Sequence, residues 1–389
     1  MIYLDYNATT PLGAAARSAM EPYLTQDFGN PSSVHSAGRE ARAAIDDARD
    51  RLADLLGVKP HELIFTGSGT ESNNLAVLGI ARAHVARGRH LVCGSTEHHA
   101  VLNCFEHLRD REAFDVTCLP VDRQGRIDPD DLARAIRRDT TLVSIMTANN
   151  ETGVLQPMTE LARLCGERRV LFHSDMVQSF GKAETNLDGL AAASFAAHKF
   201  YGPKGVGLLY LRAGIPIEPI QFGGAHENQR RAGTENVAAI AGMAAAAETV
   251  MQDWQEEQKR EEGLRDDLWE RIAAVCPDAI RNGNGAPSVA NTLNVSFPGL
   301  SSETILMALD LEGVCASSGS ACMVGSVMAS HVLLAMGLST DLAGAAVRFS
   351  LGRGTTAEEI SEAAAIVARV IARIRPANRK VNELQGATL

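Results

Sequence analysis

Short apolar runs alternate with amphipathic stretches over most of this chain. The runs are rich in Val, Ile, Leu, Phe and Ala and short enough to be buried strands: Leu63–Phe65, Leu91–Cys93, Val116–Leu119, Leu142–Ile145, Val170–Phe172, Ala191–Phe195 and Val206–Leu211. Helical patterns separate them. In Ser36–Leu56, for example, apolar side chains recur three or four positions apart between charged residues, and Gly57 follows. Strands that alternate with helices predict an α/β fold with a mostly parallel sheet flanked by helices.

The last part of the chain has a different pattern, which predicts a second and smaller α+β domain. A long helical region, Asn236–Val275, leads into it. The apolar runs there predict strands at Thr292–Phe297, Gly313–Ala316 and Val347–Leu351, and helices at Glu303–Leu311 and Ala357–Ile374. We expect a large domain over residues 14–255, a small domain built from residues 1–13 and 256–375, and a polar tail over residues 376–389.

Composition narrows the class of protein. With 389 residues, 45% hydrophobic content and a net charge of −10, the chain is long enough for two domains and lacks the basic face of a nucleic-acid-binding protein. The N-terminus resembles no signal peptide, and the longest apolar run, Val237–Ala247, is too short to span a membrane. Seven cysteines without a C-x-x-C pair fit a reducing compartment. We expect a cytoplasmic protein without direct contacts to nucleic acid or membrane.

Lysine is rare in this chain, which makes the position of Lys199 informative. It follows the apolar run that ends at Ala197 and precedes a Gly202-Pro203 turn, so a strand would deliver its amine into a cleft. Partial burial would favour the neutral amine, a nucleophile that can form a Schiff base. The alternative is a surface lysine on a loop.

The segment Phe65–Asn74 has the features of a phosphate-binding turn. It follows a strand and opens a helix with Gly67, Ser68, Gly69 and Thr70, which places backbone N–H groups and hydroxyls at a positive helix end. No Gly-Lys-Ser/Thr follows, so it is not a P-loop. An ordinary helix cap is the alternative. A second Gly-rich loop, Gly223–Glu235, carries Arg230 and Arg231 into the next helix start.

Two further candidates follow apolar strands, Asp175 directly and His98 a few residues later, at the edge where parallel α/β sheets bind ligands. Asp175 would need a cationic or hydrogen-bonding partner if buried, and a protonated pyridine nitrogen would serve; it could instead form a turn or helix cap. His98 could stack on a ring or move protons. The spacing of Cys93, His98, His99 and Cys104 does not match a zinc site, so we expect no metal.

Cys322 and two arginines complete the candidate chemistry. Cys322 lies in a loop of small residues, Ala316–Ser326, which suits an exposed thiol that reacts as its thiolate. Arg348 lies within the predicted strand Val347–Leu351, and Arg353 lies just after its end. A guanidinium is a natural clamp for a carboxylate, although one of the two could be a surface charge.

Taken together, these segments resemble the NifS/IscS-type cysteine desulfurases, pyridoxal-phosphate enzymes of the class V aminotransferase group with the fold type I architecture. The resemblance rests on many short motifs in the same order along the chain. They are Tyr3–Pro11, Phe28–Ser33, Gly69–Ser72, Thr96–His98, Ala148–Val154, Asp175–Gln178, His198–Lys199, Gly202–Gly205, Arg231–Asn236, Ser317–Cys322 and Arg348–Arg353.

The resemblance implies a role for each matching residue. Lys199 would hold pyridoxal phosphate covalently and move the substrate Cα proton. Asp175 would pair with the ring nitrogen, Gln178 with the ring hydroxyl, and His98 would stack on the ring and assist acid–base steps. The phosphate would be held by Gly69, Thr70, His198 and, from the other subunit of a homodimer, Thr234.

The substrate would lie beside the cofactor, with Asn150 and Arg353 binding its carboxylate, and Asn150 would also contact the cofactor. By the same resemblance, Ala196 would border the phosphate at a position where many relatives carry a serine, so one hydrogen bond worth roughly 1 kcal/mol is expected to be lost.

The activity implied is the conversion of L-cysteine to L-alanine with a persulfide left on Cys322 for a sulfur-acceptor protein, which could be an iron–sulfur scaffold. Two alternatives remain open at this stage: a selenocysteine or cysteine lyase of the same fold, and a catalytically silent sulfur-carrier scaffold.

Overall fold

The computed structural model describes residues 1–319 and 329–386, with side chains to residue 375. Its strands are β1 (Ile2–Tyr3), β2 (Leu63–Thr66), β3 (His90–Gly94), β4 (Asp115–Leu119), β5 (Thr140–Ser144), β6 (Leu171–Asp175), β7 (Ala192–Ala196), β8 (Gly207–Leu211), β9 (Ile280–Arg281), β10 (Thr292–Ser296), β11 (Val314–Cys315) and β12 (Ala346–Ser350). Its helices are α1 (Ala14–Thr25), α2 (Ser36–Leu56), α3 (Gly69–Asn74), α4 (Ile80–Ala83), α5 (His99–Glu112), α6 (Pro129–Ala135), α7 (Met158–Glu167), α8 (Val237–Val275), α9 (Ser302–Leu311), α10 (His331–Ala335), α11 (Thr340–Gly344) and α12 (Ala357–Gly386).

The central sheet has seven strands in the order β2-β8-β7-β6-β5-β3-β4. β8 runs antiparallel to both of its neighbours, and every other pair is parallel. Each strand predicted in the first part of the chain belongs to this sheet. The α/β fold with a mostly parallel, mixed sheet is therefore confirmed.

Helices cover both faces of this sheet, which explains why its strands are apolar almost throughout. Alternate residues of a strand point to opposite faces. On one face, side chains such as Val143 and Phe172 pack with residues from α1, α2, α7 and α8. On the other, Leu142 and Leu171 pack with residues from α5 and from the helical stretch over 69–83. Burial of both faces removes the apolar side chains of the sheet from water, which stabilises it.

A second hydrophobic core lies in the C-terminal part of the chain. An antiparallel sheet in the order β12-β10-β9 and a parallel pair, β1 with β11, contribute Val295, Phe349, Ile2 and Val314 to it. The side chains of α9, α12 and the second half of α8 complete this core. α8 connects the two cores and bends at Asp253, where φ is −139°. The proposed domain limits remain a prediction.

Two strands and one helix end differ from the sequence-based expectations. β1 and β9 have two residues each, too few to give a periodic signal. α12 runs to Gly386 rather than ending near Ile374, because the residues beyond Pro376 are mostly good helix formers. None of the described helices has the length and hydropathy needed to cross a membrane.

Candidate active site

A cavity of about 340 Å³ lies at the carboxyl edge of the central sheet. This is the edge at which open α/β sheets bind ligands, because loops and helix starts from several strands meet there. Most of the residues selected from the sequence line it, although they come from widely separated segments. They are Gly69, Thr70, His98, Asn150, Asp175, Gln178, Ala196, His198 and Lys199.

Lys199 enters this cavity from the short 3₁₀ turn Ala197–Lys199, directly after β7. Its Nζ donates hydrogen bonds to the backbone oxygens of Asn7, at 2.7 Å, and Ala8, at 2.9 Å. The N-terminal segment therefore fixes where the amine lies. Sequence reasoning gave this segment no role, although Tyr3–Pro11 was among the matching motifs.

Asp175 ends β6 and is 5% exposed. Its Oδ2 accepts a hydrogen bond from Asn73 Nδ2 at 2.6 Å, and its Oδ1 accepts one from the backbone N–H of Val177 at 2.9 Å. Both donors are neutral, so they orient the carboxylate without cancelling its charge. An anion held in this way can pair with a protonated ring nitrogen.

The turn before α3 forms an anion cradle. Ser68 caps the helix by accepting a hydrogen bond from Glu71 N at 3.1 Å, and the helical run starting at Gly69 continues to Ala83. A Cβ at Gly69 would lie 2.9 Å from Val177 Cγ2 and 3.1 Å from Ala196 Cβ. Any larger residue would require these side chains to shift. Unpaired N–H groups at such a helix start bind phosphate.

Burial favours the neutral form of two of the histidines that line the cavity, His98 and His198. The backbone N–H of Ala100 donates to His98 Nδ1 at 3.0 Å, so the neutral ring carries its proton on Nε2. Burial lowers the pKa of His98. Burial, together with the nearby charge of Lys199, lowers the pKa of His198 to about 4. Near pH 7 neither ring adds a positive charge, and each can donate or accept a hydrogen bond.

Gln178 is oriented by two neighbours. Its Nε2 donates to the backbone oxygen of Asn7 at 2.9 Å, and its Oε1 accepts from Lys182 Nζ at 2.9 Å. Because a carbonyl oxygen can only accept, the atom facing Asn7 must be the amide nitrogen. Gln178 therefore has a second N–H with which to meet an oxygen in the cavity.

The two candidate arginines lie in different environments. Arg348, on β12, lines the cavity and is 3% exposed; it donates to Asn150 O at 2.9 Å and to Asp5 Oδ1 at 2.8 Å. Its buried Nε has no hydrogen-bond partner among the described residues. A guanidinium that borders a cavity can pair with the carboxylate of a ligand bound there.

Arg353 does not line this cavity, in contrast to the expectation from the sequence. Its guanidinium pairs with Asp253, and it borders a separate cavity of about 20 Å³ that Lys199 also reaches. The physical reason is that Arg353 lies beyond the end of β12, whereas Arg348 is within the strand. Arg348 is thus the candidate arginine that borders this cavity, and the role of Arg353 as a carboxylate ligand stays a prediction.

Like Arg353, Thr234 does not line this cavity. Thr234 is exposed and lines a separate cavity of about 70 Å³ near Arg231. Its predicted role concerns a neighbouring subunit and stays a prediction. Cys322 lies outside the described residues; Gly319, on the preceding side of its loop, lines the cavity.

Some cavity residues were missed by sequence reasoning. Asn73 lies one helical turn after Gly69, a spacing that could have indicated a shared face. Glu151 and His331 also line the cavity, and Glu151 accepts a hydrogen bond from Ser330 at 2.5 Å. Within the described part of the chain, no three His, Cys, Asp or Glu side chains come together as a metal site would require.

These residues fit pyridoxal phosphate. The cradle at Gly69 suits a phosphate, the buried carboxylate of Asp175 suits a protonated ring nitrogen, and the amine of Lys199 suits an aldehyde carbon. The positive charge of Arg348, which borders the cavity, suits the carboxylate of an amino acid. The fit is to an amino acid bound together with this cofactor.

Comparison with known proteins agrees with this chemistry. The family model "Aminotransferase class-V" matches residues 2–362. A curated relative, "Cysteine desulfurase IscS" of Dictyoglomus turgidum, is 46% identical over 377 residues, covering 96% of this chain and 95% of that protein.

Two solved structures share the fold over almost the whole chain. A "NifS-like protein" has a TM-score of 0.89 and 35% identity, covering 95% of this chain and 99% of its own. "SspA in complex with cysteine" has a TM-score of 0.80 and 34% identity, covering 90% and 99%. This chain belongs to the class V aminotransferase family, whose members depend on pyridoxal phosphate.

Proposed function

We propose that this chain is a cysteine desulfurase. It would convert L-cysteine and the thiol of Cys322 into L-alanine and a persulfide on Cys322. The observation that carries the proposal is the cavity in which Lys199, Asp175 and Arg348 meet. The curated relative named above and the structure of SspA with cysteine support the same substrate.

The cofactor would be held by side chains and backbone already in position. The N–H groups at Gly69 and Thr70, with His198, would bind the phosphate, and Thr234 would reach it from the other subunit. Asp175 would hold the proton-bearing ring nitrogen, and Gln178 would donate to the ring hydroxyl. When bound, pyridoxal phosphate supplies an electron sink for the charge left at the substrate Cα.

The substrate would be oriented by Arg348 and Asn150 at its carboxylate. Arg348 borders the cavity and is held in place by Asn150 and Asp5, so its charge would meet that carboxylate from a fixed position. Lys199 Nζ, oriented by the carbonyls of Asn7 and Ala8, would take the Cα proton and return it. His98 would stack on the cofactor ring, and its Nε2 proton would be available for transfer.

Sulfur would leave through Cys322. Its thiolate would attack the substrate sulfur, a new S–S bond would form, and the bond between that sulfur and the substrate Cβ would break. Protonation at carbon then gives L-alanine, so atoms and electrons balance without an external oxidant. The outer sulfur of the persulfide would pass to a thiol of an acceptor protein. We propose an iron–sulfur scaffold as this acceptor, because the relative carries the name IscS.

A homodimer would complete the site. Phe28, Val34 and Phe222 are 81%, 89% and 85% exposed, although large apolar side chains are costly in water. Phe28 and Phe222 flank the loops 28–33 and 223–236, and the second of these carries Thr234. We propose that these apolar side chains are covered by a second copy of the chain, in the cytoplasm, where thiols stay reduced.

The test is alanine formation from L-cysteine by the purified holoenzyme with a dithiol reductant. We expect the wild type and a matched Cys315→Ser control to release alanine and Cys322→Ala to release none. Alanine from all three proteins would favour a lyase that does not use Cys322. No alanine from a wild type that retains its cofactor absorption would contradict the proposed activity.

A further inference from the structure

A pair of cysteines lies outside the active site, at the edge of the central sheet. Cys93 on β3 and Cys118 on β4 are directly opposite each other in the parallel register, and their Sγ atoms are 3.4 Å apart. Cys93 is fully buried, whereas Cys118 is exposed on the edge strand. The proposed desulfurase chemistry uses neither thiol.

The backbone can accommodate a bond between these sulfurs. Neighbouring strands are roughly 4.8 Å apart, within the range of about 4.4–6.8 Å that disulfides span between Cα atoms. A disulfide would require the sulfur atoms to approach from 3.4 Å to about 2 Å. β4 is hydrogen-bonded to a neighbour on one side only, so it can shift by this amount more easily than an interior strand. A bond formed with such a shift is expected to be easily reduced.

The two thiols also differ in reactivity, as a peroxide-reactive pair requires. The hydrogen bond from Cys93, and to a lesser extent Arg109, lowers the pKa of Cys118 to about 7, whereas that hydrogen bond and burial raise the pKa of Cys93. By contrast, burial raises the pKa of Cys104 and of Cys165 to about 12. Cys118 is thus exposed and partly thiolate near pH 7, and its partner is already in contact.

We propose that Cys93 and Cys118 form a reversible dithiol–disulfide site that responds to peroxides. The Cys118 thiolate would attack one oxygen of hydrogen peroxide, the O–O bond would break, and hydroxide would leave. Cys93 would then attack the Cys118 sulfur, breaking its S–O bond and releasing water as the Cys93 proton is lost. Two thiols are oxidised and one peroxide is reduced to two waters.

The site is also placed to affect the catalytic cavity. β3 continues through Gly94 into the segment that carries His98, which lines that cavity. Joining the ends of β3 and β4 would therefore constrain the strand from which His98 is positioned. Formation of the Cys93–Cys118 disulfide does not depend on the desulfurase activity.

In the experiment, the purified full-length holoenzyme is treated with one equivalent of hydrogen peroxide. The remaining thiols are then alkylated under denaturing conditions, and the peptides are mapped without reduction. A Cys322→Ala background removes the competing loop thiol. We expect the Cys93 and Cys118 peptides to appear joined, lighter by two hydrogen atoms than the free pair, and to separate after reduction. Cys165→Ser should keep this product, and Cys93→Ser should instead accumulate sulfenic acid at Cys118.

The map of the Cys322→Ala protein, in which Cys93 and Cys118 are both present, decides the question, and the Cys93→Ser and Cys165→Ser variants serve only as controls. Recovery of alkylated Cys93 after treatment, with Cys118 oxidised alone or unchanged, would overturn the proposal. A joined peptide containing Cys93 or Cys118 with any other cysteine would also overturn it.

Discussion

Replacing Asp175 by Asn removes one charge from the cavity and leaves its shape almost unchanged. The backbone N–H of Val177 can still donate to the Oδ1 of the new side chain. Asn73 can rotate its amide, so that its own Oδ1, which is buried without a partner among the described residues, accepts from the new amide nitrogen. Both hydrogen bonds survive in this arrangement, and the free energy of unfolding should change by less than about 1 kcal/mol.

The catalytic effect should be much larger, because an amide cannot stabilise a protonated ring nitrogen. The two donors to Asp175 are neutral and the residue is 5% exposed, so its charge acts with little screening. Opposite unit charges about 4 Å apart interact by about 4 kcal/mol at an effective dielectric constant of about 20. At about 1.4 kcal/mol per factor of ten, kcat should fall by roughly three orders of magnitude.

The assay compares kcat and KM for L-cysteine with the cofactor content, measured by absorbance after release from the protein. Asn73→Ala serves as the matched control, because it removes one donor to Asp175 and keeps the charge; its kcat should fall by less than about tenfold. Asp175→Asn with full cofactor and a loss of less than about tenfold would refute the reasoning. So would an equal loss in Asn73→Ala, since the hydrogen bond would then matter more than the charge.

Three further predictions concern the phosphate cradle, the carboxylate ligand and a buried acid. Ala196→Ser adds a hydroxyl beside the phosphate cradle, and one further hydrogen bond of about 1 kcal/mol should tighten cofactor binding roughly fivefold. Equilibrium dialysis measures this affinity, and unchanged or weaker binding would contradict the prediction. Arg348→Gln should raise KM for L-cysteine by about 10- to 100-fold, because a charge-assisted hydrogen bond is lost. Arg353→Gln should leave KM within about twofold, because Arg353 pairs with Asp253 instead. A larger increase in KM for Arg353→Gln than for Arg348→Gln would assign the carboxylate to Arg353. Burial raises the pKa of Glu97 well above its usual range, so the folded state keeps a proton that the unfolded state releases. The free energy of unfolding therefore falls as the pH rises above the pKa of the unfolded state. Glu97→Gln should therefore gain in Tm relative to the wild type between pH 5 and pH 8, and a constant difference would argue against a protonated Glu97.

The amino-acid sequence alone was sufficient to predict the strands of the central sheet and the residues that follow them. Burial on both faces of a parallel sheet requires continuous apolar runs, and that requirement is local in sequence. The residue after such a run lies at the sheet edge whatever the strand order. For this reason Asp175, His98 and Lys199 could be selected as site residues before the topology was known.

The tertiary structure alone decided which residues meet across the chain. Lys199 receives its backbone partners from Asn7 and Ala8, and Cys93 contacts Cys118 only because β4 pairs with β3 in a particular register. Arg348 and Arg353 look equivalent in sequence, and packing against Asn150 separates them. Local patterns set burial, whereas contacts between distant segments depend on strand order, register and packing, which no single segment encodes.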